Sequence, residues 1–371
     1  MRILVLAKRQ YTGKDLLDDR YGRLYELPRG LAACGHDVAA LIWSYRRRGA
    51  SFRTGEGVRW WSEDMWPFPT SHSKRLREVV IGARPEVIWG SSDALHAVLA
   101  TRLGRKLHIP VVLDHYDDYE SFRLTSALGL IGPLRQACAK AAALSVVSQT
   151  LAETIKVRIP GVGPMAVVGN GVPEGFSVRA PKDEARRQLG LPVDAALIGT
   201  AGALDSSRGI DDLLHAFALL RQRRPNVRLV LAGPRDRNTA AFMARDAEVI
   251  DLGLLAHDRV PWLYSALDVG VVCNRDSAFG RACHPQKLVE MAACGLPMVA
   301  AAVGDAAIML EQANLYAPGN ALALTHRLER QLDAPSRAPS SIALRWSELA
   351  VGLEAILQKA IDNFQAGPVL V

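Results

Sequence analysis

The second half of the chain is a series of short apolar runs, each closed by a glycine-bearing turn and followed by a helical stretch. Leu197-Ile-Gly-Thr-Ala-Gly202 reads as a strand and its turn, and Arg208-Gly209 precedes a helix over Ile210–Arg223. Val227–Ala232 is the next strand, with Gly233-Pro234 as its turn. Val249-Ile250 leads through Leu252-Gly253 to a loop, Val260–Ala266 is a helix, and Val269–Cys273 is another strand. Repeated βα units with short turns permit few folds, because they produce parallel sheets with helices on both faces. The first half repeats the alternation less regularly. Its strands are Arg2–Ala7, Val38–Trp43, Val87–Trp89, Val111–Asp114 and Leu144–Ser148, and Ser91–Arg105 reads as a helix. A length of 371 residues suits two domains. The polar, charged segment Pro173–Pro192 separates them, giving domains at 1–174 and 175–345. Leu349, Leu353, Ile356, Leu357 and Ile361 then share one face of a terminal helix over 346–364.

Charge and cysteine usage narrow the setting. Residues 1–175 hold 24 Lys and Arg against 17 Asp and Glu, whereas residues 176–371 hold 21 of each, so the whole excess of +7 lies in the first half. Trp43, Trp60, Trp61, Trp66 and Trp89 lie there too. Basic residues interleaved with Trp suit an anionic membrane surface or a phosphorylated acceptor. Tyr45–Pro69, with Arg46-Arg47-Arg48, Trp60-Trp61 and Trp66-Pro-Phe, shows no clear periodicity and is expected to be the membrane- or acceptor-facing loop region. No recognition helix or RNA-binding motif accompanies the charge, so nucleic acid is not an expected partner. Five cysteines without Cys-x-x-Cys spacing point to free thiols in a reducing compartment. No apolar run is long enough to span a bilayer. The expected location is therefore cytoplasmic, peripheral on the inner face of the plasma membrane.

The stretch with the most chemistry is His284-Pro-Gln-Lys-Leu-Val-Glu-Met-Ala-Ala-Cys-Gly-Leu-Pro297. Pro285 suits a first helical turn, Leu288, Met291 and Ala292 form one apolar face, and Gly295 with Pro297 ends the helix. Met298–Ala302 then reads as a buried strand. Lys287 and Glu290 are neighbours on the helix surface. A helix start with its free amides suits a phosphate, and a carboxylate one turn further in suits a ribose diol.

This stretch resembles the Lys-x-x-Glu form of the donor-binding helix in family 4 glycosyltransferases, which have the GT-B fold. Pro285, Lys287, Leu288, Glu290, Ala292, Gly295, Pro297 and Val299 carry the likeness. A glutamate that many members place eight positions before the Glu290 site is Ala282 here. Gly202-Ala-Leu204 and Arg208-Gly209 resemble the Gly-x-Leu and Lys-Gly that open the family's second domain. Arginine in place of lysine keeps a permanent cation and adds a bidentate fork; an earlier arginine of the family falls on Ala203. In the first half, Gly22 and Gly35-His36-Asp37-Val38 resemble the family's glycine turn and Gly-His-Glu-Val, with His36 read as a structural turn residue. Asp114, Asp117, Glu120 and Ser121 resemble an acidic run of one group of members. Others carry His just before the Asp117 site, where this chain has Tyr116, with His115 one place earlier.

The resemblance implies an α/β protein of GT-B type: two Rossmann-like, doubly wound parallel-sheet domains facing across a cleft, the terminal helix packing back on the first. It implies a retaining glycosyltransferase that moves a sugar from a nucleotide-diphosphate sugar to a glycan or lipid-linked acceptor, in cell-surface polysaccharide or lipopolysaccharide synthesis. No metal and no cofactor are implied beyond the nucleotide-sugar co-substrate. Arg208 and Lys287 would neutralise the departing diphosphate. Gly22, Gly202 and Leu288 would line the donor site, Glu290 would take the ribose, and the backbone around Leu252 would read the base. Asp117 and His115 are the candidates for contacting the transferred sugar or the acceptor. Two rivals are a GT-B nucleotide-sugar epimerase, which needs paired acid–base carboxylates, and a non-catalytic nucleotide-sugar-binding protein, favoured by Ala203 and Ala282. A nicotinamide-dependent enzyme is disfavoured because no Gly-x-Gly-x-x-Gly follows the first strand.

Overall fold

The structure, a computed structural model, describes residues 1–66 and 71–366. The chain forms two compact units, Met1–Asn170 together with the segment from Arg345 on, and Gly171–Leu344. Residues 171–174, expected with the first domain, go with the second. The Val172 amide donates to the Leu344 carbonyl at 2.9 Å, and its side chain lies in the second unit's core.

The first unit holds an eight-stranded sheet among the described residues. Its order is Met165–Val167, Ala143–Val146, Val111–His115, Val87–Ser91, Arg2–Lys8, Asp37–Ser44, Val58–Asp64, Ser51–Gly55. Every pair is parallel except the outermost, where Ser51–Gly55 runs antiparallel to Val58–Asp64. The terminal helix is Trp346–Ala366; it packs on Arg23–Ala33 and shares a core with Leu24, Leu27 and Leu31 through Trp346, Leu349, Leu353 and Leu357. Burial of each such side chain contributes at most about 1.5–3 kcal/mol, which explains why this helix belongs to the first unit despite its position in the chain.

The expected loop region at Tyr45–Pro69 is corrected here. Most of it is the outer pair of strands, and Val58, Trp60 and Ser62 point inward at alternate positions. Trp60 stacks on Tyr25 with ring centroids 5.6 Å apart, and Trp43 and Trp89 are also core residues. Three of the five first-half tryptophans are therefore unavailable to a membrane. Arg46, Arg47 and Arg48 are exposed, as are Phe52 and Trp66; Pro67 and Phe68 lie outside the described residues. The segment after the first strand contains a short hairpin, Gln10–Tyr11 with Lys14–Asp15. His36 is structural as expected, bonding Glu354 at 2.9 Å.

The second unit is a six-stranded parallel sheet ordered Val249–Asp251, Val227–Ala232, Ala196–Ala201, Val269–Val272, Met298–Ala301, Leu315–Tyr316. Alternate residues of one strand enter different cores: Leu197 and Ala201 one, Ile198 the other. Helices therefore cover both faces, as the βα alternation requires. The strand order reverses between Ala196–Ala201 and Val269–Val272, and ligands of open parallel sheets bind beyond the carboxyl ends at such a switch point.

Candidate functional site

Gly202 follows Ala196–Ala201 at that switch point, with φ 99°, where a side chain would be strained. A Cβ there would also stand 3.0 Å from the Lys287 Cε, so the bare backbone gives the lysine its path. Lys287 lies in the first turn of the helix Gln286–Ala293, which Pro285 caps from the position before its first turn. Arg208 ends the short turn Ser206–Arg208; Gly209 follows as the cap of Ile210–Arg223. Two half-buried cations thus sit beside helix starts at one end of one sheet.

Their electrostatics are unbalanced. Burial lowers the Lys287 ammonium below the ordinary lysine range, and the Arg208 charge lowers it further. Cys273 does not compensate, because burial pushes its thiol up to about 11 and leaves it neutral, and the charges of Glu290 and Asp205 raise the lysine's pKa without offsetting its burial. The Arg208 guanidinium lies over the Phe279 ring at 4.0 Å. Among the described residues neither cation forms an ion pair with a carboxylate. A crowded pair of cations in no ion pair is an arrangement that a diphosphate would complete.

Glu290, one turn beyond Lys287, is buried. It accepts from His257 Nε2 at 3.0 Å, Gln286 Nε2 at 3.2 Å and Tyr264 Oη at 3.4 Å. These bonds fix the carboxylate's orientation. His257 was not singled out from the sequence, since nothing in Ala256-His257-Asp258 announces a partner 33 positions on. Leu288 is a core residue. Its backbone belongs to the first turn, but its side chain does not line a site, which corrects the expectation of a donor contact. Leu252 follows Val249–Asp251, and its amide donates to the Leu231 carbonyl at 2.9 Å. This holds the segment at the same sheet end.

In the first unit, Gly22 caps Arg23–Ala33. Asp114, His115, Asp117 and Glu120 separate by burial. Asp114 is fully internal; Arg23 grips it at 2.6 and 3.0 Å, and Ser91 and Ser145 donate to it. His115 is buried, stacks on Tyr119, and brings Nε2 to 3.3 Å from the Cys138 Sγ. Burial depresses its pKa to about 4. It is a neutral interior residue, and the expectation that it contacts sugar is corrected. Glu120 pairs with Arg135. Asp117 remains at the carboxyl end of Val111–His115, half-buried, accepting from the Asp118 amide.

Beside it is a cluster the sequence did not disclose. Lys8, at the end of the first strand, lies over the Tyr116 ring at 5.6 Å; burial lowers its pKa against the charges of Asp93 and Asp117. Asp93 accepts from the His96 amide and ring and from Tyr45 Oη. The intervening Ser92 has φ 109°, a strained backbone held by bonds from the Lys8 amide and Tyr116 Oη and by its own amide donating to Tyr119 Oη. Strain of this kind persists where neighbours overdetermine it. This cluster occupies the first sheet's own switch point, between Arg2–Lys8 and Val87–Ser91.

The fold is that of GT-B glycosyltransferases. The chain superposes on the sucrose-phosphate synthase of Thermosynechococcus elongatus with a TM-score of 0.73 at 18% identity, covering 98% of both chains. It superposes on the Anabaena protein HepE in complex with UDP with a TM-score of 0.70 at 20% identity, covering 99% of this chain and 100% of the other. Residues 23–171 match the family described as glycosyl transferase 4-like domain, and residues 195–334 match glycosyl transferases group 1. The chain belongs to the family 4 glycosyltransferases. Among curated relatives, the D-inositol 3-phosphate glycosyltransferase of Thermobispora bispora is 30% identical over 229 residues, 54% of this chain and 51% of the relative. The corresponding protein of Catenulispora acidiphila is 28% identical over 345 residues, 79% of this chain and 80% of that one. The match spans about half the length of the first of these relatives.

Proposed function

We propose that the chain is a retaining glycosyltransferase that takes a sugar from a nucleotide-diphosphate donor, with the second unit as donor domain and the first as acceptor domain. The observation that carries this is the pair Arg208 and Lys287, close enough at a switch point for the Arg208 charge to lower the Lys287 pKa, with neither in an ion pair among the described residues. As the sugar leaves, charge grows on the diphosphate, and fixed cations stabilise that charge more than the bound ground state. The same pair supports a reaction without a metal. Glu290, oriented by His257, takes the ribose diol, and the Leu252 backbone contacts the base. Gly22 is the first unit's proposed donor contact. Asp117, with Lys8 and Asp93, contacts the transferred sugar or the acceptor. HepE bound to UDP-glucose supports a uridine donor.

The acceptor is a glycan or lipid-linked sugar of cell-surface polysaccharide or lipopolysaccharide synthesis. The exposed triplet Arg46–Arg48, with Phe52 and Trp66, supports peripheral contact with an anionic inner membrane from the cytoplasmic side. Among the described residues no helix is long and apolar enough to cross a membrane. The names of the relatives favour a second acceptor class, a phosphorylated polyol. Calorimetry with UDP tests the donor site. Incubation of UDP-sugars with lipid-linked glycans and with polyol phosphates, followed by NMR of the anomeric centre, tests acceptor and stereochemistry. Inversion at that centre, or failure to bind any nucleoside diphosphate, would refute the proposal.

A further inference from the structure

The loop between Val269–Val272 and Gln286–Ala293 contains two side chains that reach the Arg208 turn from different sides. Arg275 donates from Nε to the Ser206 carbonyl at 3.1 Å, and its other nitrogens meet Asp211 at 2.6 Å and Asp212 at 3.5 Å. Asp212 is itself held by the Gly319 amide at 2.8 Å. Phe279 lies beneath the Arg208 guanidinium. The backbones also fit closely: a Cβ on Gly209, at φ 77°, would come within 3.3 Å of the Asn274 backbone. On the far side, Asp205 accepts from the Arg208 amide at 3.1 Å, and Asp236 accepts from the Ser206 amide at 3.0 Å.

Arg208 therefore has its backbone fixed from three directions and its side chain fixed by an aromatic face. A long side chain held this way loses little rotamer freedom when an anion arrives. The ring also leaves the fork's nitrogens free at their edges, because cation–π contact uses the guanidinium plane.

We propose that Arg275 and Phe279 are positioning residues that pre-organise Arg208 for a nucleoside diphosphate. They touch the arginine and its turn rather than the ligand. The inference rests on the donor-site reading above and assigns a role to a loop that has no other role in it.

A double-mutant cycle read by calorimetry tests it, with UDP, GDP, ADP, CDP and dTDP as ligands and the matching nucleosides as controls. Phe279→Leu should weaken diphosphate binding about three- to tenfold and leave nucleoside binding unchanged. Phe279→Tyr should restore it. In an Arg208→Ala background the Phe279→Leu change should have no further effect, because a positioning residue acts only through what it positions. Arg275→Gln should behave like Phe279→Leu. If Phe279→Leu costs as much with Arg208 absent as with it present, or costs nothing in either, the positioning role is overturned while the donor site stands. If the unmodified chain binds none of the diphosphates, the donor site falls and this role falls with it.

Discussion

Replacing Lys287 by Met should make the empty protein more stable and its ligand complex weaker. The ammonium is half-buried, feels the Arg208 charge, and forms no ion pair with a carboxylate. Desolvating an unpaired charge costs several kcal/mol when burial is complete. Half burial leaves roughly 1 kcal/mol to be regained by a side chain of similar length without charge, which corresponds to a rise of about 2–4 °C in melting temperature. Binding should respond in the other direction. A charge-assisted bond to phosphate is worth about 1.5–3 kcal/mol, so UDP should bind roughly ten- to 150-fold more weakly while uridine is unaffected. The pH dependence carries its own sign. A lysine whose folded pKa is lowered from 10.5 penalises folding while both states are charged. That penalty disappears as pH rises from the folded pKa towards 10.5, so the stability advantage of Lys287→Met should shrink over that alkaline window. Calorimetry with both ligands and thermal melts across pH measure all three effects. A variant that melts lower at neutral pH, or loses UDP and uridine binding equally, would show that Lys287 supports the fold rather than the phosphate.

Glu290→Gln should lower transfer roughly ten- to a hundredfold, on about 1.4 kcal/mol per factor of ten. It should also lower the melting temperature, because the carboxylate accepts from His257, Gln286 and Tyr264; a variant with intact transfer would detach this residue from the donor. Arg23→Met should destabilise the first unit by about 3–5 kcal/mol, since it leaves the buried Asp114 carboxylate uncompensated, and a thermal melt with no change would refute that account. Flotation with anionic vesicles should succeed at low salt and fail at high salt, as each basic residue near such a surface contributes about 1 kcal/mol. Changing Arg46, Arg47 and Arg48 together to Ala should abolish it, and unchanged flotation would eliminate that patch.

The two units differ in how far their sequence could be followed. In the second, the central strands are buried on both faces and appear as short apolar runs, Arg208 stands directly before the turn glycine Gly209, and Lys287 lies in a helix start that resembles the family's Lys-x-x-Glu form. Arg208 and Lys287 were therefore visible as a pair before any coordinates. His257 and Phe279 were not, because each meets its partner across the fold and neither sits at a turn with a composition of its own. In the first unit the outer strands mix charges with aromatics. Val58-Arg-Trp-Trp-Ser-Glu-Asp64 does alternate, but the adjacent Trp60-Trp61 obscures the period, since one ring enters the core and the other packs on Phe52 outside it. The tryptophans that suggested a membrane are mostly the core that such a small-residue sheet needs.

The acidic run after Val111–His115 shows why charge alone could not locate the acceptor side. Four carboxylates and a histidine crowd the seven positions from Asp114 to Glu120, and the sequence offers no way to rank them. Burial ranks them: Asp114 is consumed by Arg23, His115 is held neutral against Cys138, and Asp118 and Glu120 are paired with Arg158 and Arg135. Asp117 lies next to Tyr116, whose ring faces Lys8, and Lys8 feels both Asp117 and Asp93. This cluster sets one ammonium against two carboxylates, unlike the adjacent cations of the second unit. Two carboxylates, an ammonium and a tyrosine face suit a neutral polyol, whose hydroxyls both donate and accept; a phosphate would meet Asp93 and Asp117 as like charges. These electrostatics support the proposal that the sugar-hydroxyl end of an acceptor binds at this cluster. A phosphorylated acceptor would need its phosphate placed elsewhere, beyond the reach of these two carboxylates. Competition by an unphosphorylated polyol that is lost in Asp93→Asn but kept in His115→Gln would follow from that division, and the reverse pattern would contradict it.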